Sequence, residues 1–368
     1  MVTLAVLYDP RRNTLDVVRI ALAFVVAFSH AVVMHTGDEP HWGNSTLGDL
    51  AVDGFFVMSG FLVTASYQRI DASTGQPGFW TVVRFGWHRF LRIMPGFWVC
   101  LLVLAFVVAP LAATLEGRPL TTPFATEPSS WDFIVSNAGL LIQQYGIAGL
   151  LAGNPFPSVF DGALWTLILE AACYAVLAVL GWSGVVSRHR WVVLLLTVVF
   201  WALLLTQSLG VDTVIGDLTT RLALMFLLGV ASYLFRRWIP INLGFAFAAL
   251  ILLTSCLAVL HEYRVSGAPA LAYLIMYLGT GLPHAVRLRA DLSYGIYIYH
   301  WPTEQLLMLT SVAALPTAAF IAVSSVAVLL PAAASWYLVE KRALRHKNFA
   351  PLSAWRSRQQ AGELVDTG

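Results

Sequence analysis

Charge is scarce in this 368-residue chain: Lys, Arg, Asp and Glu make up 11% of it, against about 25% in a soluble globular domain. Apolar residues reach 58% and mean hydropathy is +0.73. So little polar surface could not cover the apolar remainder in water, which excludes an ordinary soluble fold. Cysteine is nearly absent. Cys100, Cys173 and Cys256 all lie in apolar runs without CxxC spacing, which points to packing residues rather than a disulfide framework or thiolate ligands. HExxH and paired-histidine spacings are also missing, so no metal centre is expected. There is no internal repeat, low-complexity linker or long charge run at which a second domain would begin. A net charge of +2 and a pI near 8.5 do not require a nucleic-acid partner, because membrane topology and lipid headgroups account for the basic residues.

What the chain does have is a series of long apolar runs. A spanning helix needs about 20 mainly apolar residues. Ten segments qualify, at 14–36, 47–67, 87–115, 161–182, 190–209, 217–237, 241–261, 268–285, 291–311 and 313–339. Segment 131–150 is less apolar, carries Asp132, Asn137, Gln143 and Gln144, and reads as an interfacial or re-entrant helix, with an eleventh span as the alternative. Short cytoplasmic loops retain Lys and Arg. With the N-terminus inside, the inner loops and tails hold 18 of the 22 basic residues, among them Arg11, Arg12, Arg69, Arg84, Arg287, Arg289, Lys341 and Lys347. The opposite loops hold only Arg118 and Arg264, together with Asp38, Glu39, Glu116, Glu127, Asp132, Asp212 and Glu262. The expected fold is therefore an all-α integral membrane protein of about ten transmembrane helices, multi-pass in the inner (cytoplasmic) membrane with both termini cytoplasmic. Residues 1–340 would form the membrane domain and 341–368 a short cytoplasmic tail. Arg11-Arg12 ahead of an apolar run resembles a twin-arginine signal, but His30 interrupts the run and no cleavage site follows, so a retained first span is expected.

Ionisable residues sit inside these runs: Arg19, His30, Asp53, Glu170 and His300. Each costs about 2.5–3.5 kcal/mol at bilayer depth, so each needs a partner or a task. Arg19 and His30 are eleven positions apart, about 16 Å along a helix axis, and eleven steps of about 100° return to nearly the same face. Arg89 and Arg92, spaced i, i+3, also project from one helix face. Each has a structural alternative, as a snorkelling cation, a core histidine or an ordinary positive-inside anchor.

The strings LDVVRIALAFVVAFSHA (15–31), VDGFFVMSGFLVT (52–64), RFLRIMPGFW (89–98), GALWTLILEAACY (162–174), LSYGIYIYHWP (292–302) and WYLVEKRAL (336–344) occur in an order and spacing that resembles the membrane acyltransferase-3 family over nearly the whole chain. The resemblance implies an integral membrane enzyme that moves an acyl group, commonly acetyl from acetyl-CoA, onto a hydroxyl of a sugar, cell-envelope glycan or secondary metabolite. Acyl-CoA would be a donor substrate and no cofactor would be permanently bound. The family's arginine and histidine pattern makes His30 the general base, a role that suits imidazole near neutral pH. Arg19 would hold an anionic part of the donor or a carboxylate such as Asp16 or Asp53. Asp53 is expected to pair a buried cation or to orient His30, and Glu170 to orient the acceptor hydroxyl or complete the proton path. Arg89 and Arg92 are expected to grip CoA phosphates. Trp165 is expected to line a substrate pocket, with Tyr294, Tyr297, Tyr299 and Trp301 as further candidates. His300 is expected to be a positioning residue beside a kink at Pro302, and Asn154 to Phe160 a loop at the acceptor entrance. Two features depart from the family's pattern: Glu170 is followed by Ala171 rather than a second acid, and no hydrolase-like domain follows the last span, which suggests a stand-alone enzyme. The same buried charges also suit a secondary transporter relaying protons at the midplane, although no inverted repeat accompanies them.

Overall fold

A computed structural model describes residues 1–348 apart from 75–77, 283–287 and 289. Arg287, Arg289, the end of the expected eighth segment and most of the expected tail (349–368) therefore lie outside the described residues.

The first two helices, α1 (Leu15–Thr36) and α2 (Leu47–Thr74), are joined by a small antiparallel hairpin, β1 (His41–Trp42) and β2 (Ser45–Thr46). The long α3 (Phe79–Leu115) carries a π turn at Leu104–Val108. There follow α4 (Ser130–Asn137), α5 (Thr166–Trp182), α6 (Trp191–Ser208), α7 (Asp217–Leu234), α8 (Leu243–Leu260), α9 (Ala268–Thr280), α10 (Ser293–Met308) and α11 (Thr317–Lys347). Among the described residues, seven helices (α1, α2, α3, α6, α7, α8 and α11) are long and apolar enough to cross a membrane. The segments expected at 161–182, 268–285 and 291–311 contain helices of 17, 13 and 16 residues, short of the about 20 that span a bilayer at right angles. The third helix begins at Phe79 rather than 87; its first turns carry Arg84, His88, Arg89 and Arg92, which line a basic vestibule, and a reading by apolar runs leaves residues 79–86 outside the span.

The segment 131–150 is not a helix of span length. Its polar residues fold it back on itself. Asp132 closes a capping box with Ser129 at the start of the eight-residue α4. The Asn137 side chain then takes over backbone groups of the returning chain: its Nδ2 donates to the Gln144 carbonyl (2.7 Å), and its Oδ1 accepts from the amides of Gln143 and Gln144 (2.9 and 3.1 Å). A looped segment with left-handed φ at Leu140, Ala148 and Leu151 follows.

The core centres on α2, which packs against α1, α3, α7 and α9. Its closest neighbour is α7, and glycine is what allows the approach. A Cβ built on Gly60 would lie 2.1 Å from the Phe226 carbonyl oxygen, and one on Gly229 only 1.9 Å from that of Val57, so the two backbones touch. Helices α6 and α8 are peripheral and leave residues such as Leu195, Val198, Phe247 and Ile251 exposed, an apolar surface suited to lipid. On the other side, α10 lies between α1 and α11. Pro302 has no N–H and so strands the carbonyl of Ile298 one turn earlier; the buried Cys100 thiol donates to that oxygen at 3.5 Å.

Candidate active site

The face of α1 that carries Arg19 and His30 meets one continuous stretch of chain, residues 291–300. At the lower end of this seam, where α1 begins, Arg19 Nη1 lies 2.7 Å from Asp291 Oδ2 and 3.5 Å from Asp16. The same Asp291 oxygen accepts from Arg92 Nη2 at 2.7 Å, and Ser293 Oγ donates to the other oxygen at 2.6 Å. Arg92 also reaches Glu340 of α11 at 3.4 Å, and Glu340 accepts from Ser335 at 2.9 Å. A single carboxylate thus ties α1 and α3 to the start of α10, and Arg92 extends the network to α11.

Beside this network opens a vestibule of about 500 Å³, lined by Arg19, Arg69, Arg84, His88, Arg89, Arg92, Asp291, Trp336 and Lys347 among others. One carboxylate among so many cations makes an anion-attracting mouth. That the starts of α1, α3 and α10 and the ends of α2 and α11 all contribute to it requires these helices to alternate in direction. Arg19, Leu62, Arg89 and Arg92 also line an inner pocket of about 110 Å³, which continues to Ser59, Glu170, Tyr174, Phe55, Thr166 and Tyr297. Glu170 accepts from Ser59 Oγ at 2.8 Å and from the Tyr174 hydroxyl. Arg89 differs from Arg92: its guanidinium lies 5.7 Å from the Tyr174 ring centroid, and its buried Nε has no hydrogen-bond partner.

At the upper end of the seam His30 Nδ1 lies 2.7 Å from His300 Nε2, with the rings stacked at 5.0 Å. The hydrogen positions follow from the partners. His300 Nδ1 lies 3.2 Å from the Ile296 carbonyl oxygen, which can only accept, so Nδ1 carries the hydrogen. In a neutral ring His300 Nε2 is then an acceptor and His30 Nδ1 the donor, which leaves His30 Nε2 as the bare nitrogen. Trp301 stands edge-on to His30 at 5.0 Å and is held by its indole N–H to the Val159 carbonyl at 3.1 Å. His300 is 1% exposed, while His30 keeps some accessible surface and yet lines neither cavity.

The sequence expectations divide accordingly. Arg19, Arg89, Arg92 and Glu170 converge on one cavity, and His30 and His300 form a pair beyond it. Glu170 is therefore placed on the side of the basic vestibule and not beside His30. Asp53 does not stand behind His30, and it does not meet Arg19. Its two oxygens are taken by Arg221 Nε at 2.8 Å and the Tyr263 hydroxyl at 2.5 Å, in a network that Asp49 and Arg264 complete. The reason is register: Gly48, near the start of α2, contacts Ser29 of α1, and Asp53 is turned away toward α7. Trp165 precedes the first turn of α5, half-buried, and lines neither cavity. Sequence reasoning missed Asp291, Glu340 and Arg221. Asp291 carried one signal, as a lone acid beside Arg287 and Arg289 at an end otherwise rich in cations. Among the described residues, no group of three or more His, Cys, Asp or Glu is placed to hold a metal ion.

The Asp53 network yields a stability prediction. Asp53→Ala leaves Arg221 buried without its main partner and should destabilise by about 3–5 kcal/mol, while Asp53→Ala with Arg221→Met should recover much of the loss. Thermal unfolding in detergent measures both. If folded Asp53→Asn protein lost its turnover, Asp53 would return to the catalytic group.

The chain matches the acyltransferase-3 family (acyltransferase domain) over residues 12–336. It is 25% identical over 348 residues to an O-acetyl transferase of Shigella phage Sf6, an alignment covering 91% of this chain and 96% of that protein. It is 26% identical over 324 residues to nodulation protein 10 of Rhizobium leguminosarum bv. viciae, covering 78% and 82% respectively. No solved structure matches it. With the family match spanning the helices that build both the cavity and the histidine pair, the chain belongs to the acyltransferase-3 family and is a multi-pass membrane acyltransferase.

Proposed function

We propose that this protein is an O-acyltransferase of the cytoplasmic membrane that takes an acetyl group from acetyl-CoA and delivers it to a hydroxyl of a sugar, cell-envelope glycan or secondary metabolite. The observation that carries the reading is a basic vestibule that narrows into a pocket whose lining residue Tyr297 packs against His300, the partner of a histidine with a bare nitrogen. The cations suit the phosphates of CoA. Arg89, with a free donor, is the contact for the donor's charge, whereas Arg92 and Arg19 are held by Asp291 and shape the mouth. The positive-inside pattern supports a cytoplasmic mouth, on the side where acyl-CoA is available. Acetyl is favoured as the group because one relative is named an O-acetyl transferase.

The chemistry follows from the histidine pair. His30 Nε2 removes the proton of the acceptor hydroxyl as its oxygen attacks the thioester carbonyl. His300 accepts from Nδ1 and so keeps Nε2 free at the start of the reaction. The C–S bond then breaks, and the departing thiolate takes the proton back from His30. Accessible surface on His30 that does not open into the donor cavity supports entry of the acceptor by a separate path, past Trp301 and the loop at Asn154 to Phe160.

The test is thiol release. Protein purified into nanodiscs, given acetyl-CoA and a panel of mono- and oligosaccharides, should liberate free CoA and acetylate at least one panel member. Absence of both acetyl-CoA binding by calorimetry and thiol release would sink the donor assignment.

A further inference from the structure

The inner pocket ends before it reaches the histidines. Its lining toward that end includes Val52 and Phe55 of α2, Thr166 of α5 and Tyr297 of α10, and neither His30 nor His300 lines it. Tyr297 precedes His300 by three residues, about 4.5 Å of helix rise. The Tyr297 ring centroid is 6.1 Å from that of His300 and 5.8 Å from that of Phe55. One flat side chain therefore faces the cavity on one side and the histidine pair on the other. Its hydroxyl is anchored at the start of α5 and the turn before it: Thr166 Oγ1 lies 2.6 Å away, and the Ala163 carbonyl accepts from it at 3.1 Å. Phe55 leans edge-on against this ring with no polar tether and is only partly buried, so it is the half of the wall that can turn aside.

Transfer requires the thioester carbonyl and the hydroxyl activated by His30 to come within bonding reach of one another. With the wall in place they are held apart. A closed wall also serves chemistry, because water is a competing nucleophile. Water at His30 could give its proton to Nε2 and attack the carbonyl; the C–S bond would break, the thiolate would recover the proton, and acetate and CoA would be released with no acceptor modified. We infer that Phe55 and Tyr297 form a partition that separates the donor thioester from the histidine pair until the acceptor is seated, so that the acyl group passes to a hydroxyl and not to water. The inference rests on the acyl-CoA reading above and adds a specificity-determining role for two residues that bind no charge.

The experiment measures acceptor-free hydrolysis of acetyl-CoA, per folded molecule in nanodiscs, for the wild type, Phe55→Ala, Phe55→Leu and Tyr297→Phe. General-base assistance is worth about 100- to 10,000-fold, so exposing the thioester to His30-activated water in Phe55→Ala should raise hydrolysis by about 10-fold or more. Tyr297→Phe keeps the ring but loses its anchor and should give a smaller rise. Adding His30→Asn to Phe55→Ala should return hydrolysis to the wild-type level. A merely structural role for Phe55 predicts loss of activity and never this gain; Phe55→Leu serves if the alanine variant does not fold. The inference is overturned if the wild type transfers acetyl while none of the Phe55 and Tyr297 variants hydrolyses faster, or if the increase survives His30→Asn. A wild type that neither transfers nor hydrolyses acetyl-CoA overturns it by a different route, through the donor assignment itself.

Discussion

His30→Asn should lower turnover about 100- to 10,000-fold per folded molecule, the range seen when a general base is removed, while acyl-CoA binding persists. Asparagine can still donate from its amide to His300 Nε2, so the hydrogen bond that joins α1 to α10 is retained and the bare nitrogen alone is lost. His300 should respond differently. His300→Leu removes the acceptor that keeps the proton on His30 Nδ1, frees the ring to adopt the other tautomer and should cost less than His30→Asn. His300→Gln, whose carbonyl oxygen can accept in the same place, should recover part of that loss. Turnover per folded molecule, with ligand binding measured in parallel, separates these outcomes. Near-normal turnover in His30→Asn would remove His30 from the chemistry.

The two arginines at i, i+3 should behave unlike one another, which their shared helix face does not foretell. Arg89→Ala should raise the KM for acetyl-CoA about 10- to 100-fold, the effect of losing one hydrogen bond to a charged group worth about 1.5–3 kcal/mol. Arg89→Lys should recover the charge but not the planar fork. Arg92→Ala leaves Asp291 and the buried Glu340 without a common cation, and its expected result is a loss of about 3–5 kcal/mol in stability before any kinetic effect can be read. Added salt should mimic part of the Arg89 effect, because the vestibule is open to solvent. An unchanged KM in Arg89→Ala would remove that residue from the donor site.

This contrast shows how far a linear reading of the site reaches. Helical periodicity placed Arg19 and His30 on one face of α1, and in the structure both meet the same stretch, 291–300, from Asp291 to His300. Periodicity says nothing about what lies opposite. Asp53 was legible as a buried carboxylate needing a cation; that the cation is Arg221 and not Arg19 depends on the backbone contact of Gly60 and Gly229, which brings α7 against α2. Glu170 was legible as a polar residue with a task, but its neighbours Ser59 and Arg89 come from helices α2 and α3. The polar residues of 131–150 are visible in the sequence as a mark against a spanning helix. They end a helix and return the chain, because Asn and Asp side chains compete for backbone groups that a long helix would use.

Legible along the chain are the solvent, the apolar segments in order, the end of the bundle at which cations gather, and the motifs that identify the family. These properties are local: hydropathy, loop charge and the 3.6-residue repeat are each read within one segment. Only the folded molecule shows the pairing of His30 with His300, the different partners of Arg89 and Arg92, the network to which Asp53 belongs, and the place of Phe55 and Tyr297 between the inner pocket and the histidines. Those contacts join residues as far as 270 positions apart. They are set by how helix surfaces interlock across the bundle, through glycine contacts, shared carboxylates and a proline-freed carbonyl, and no pattern within a single segment specifies which surface will be its neighbour.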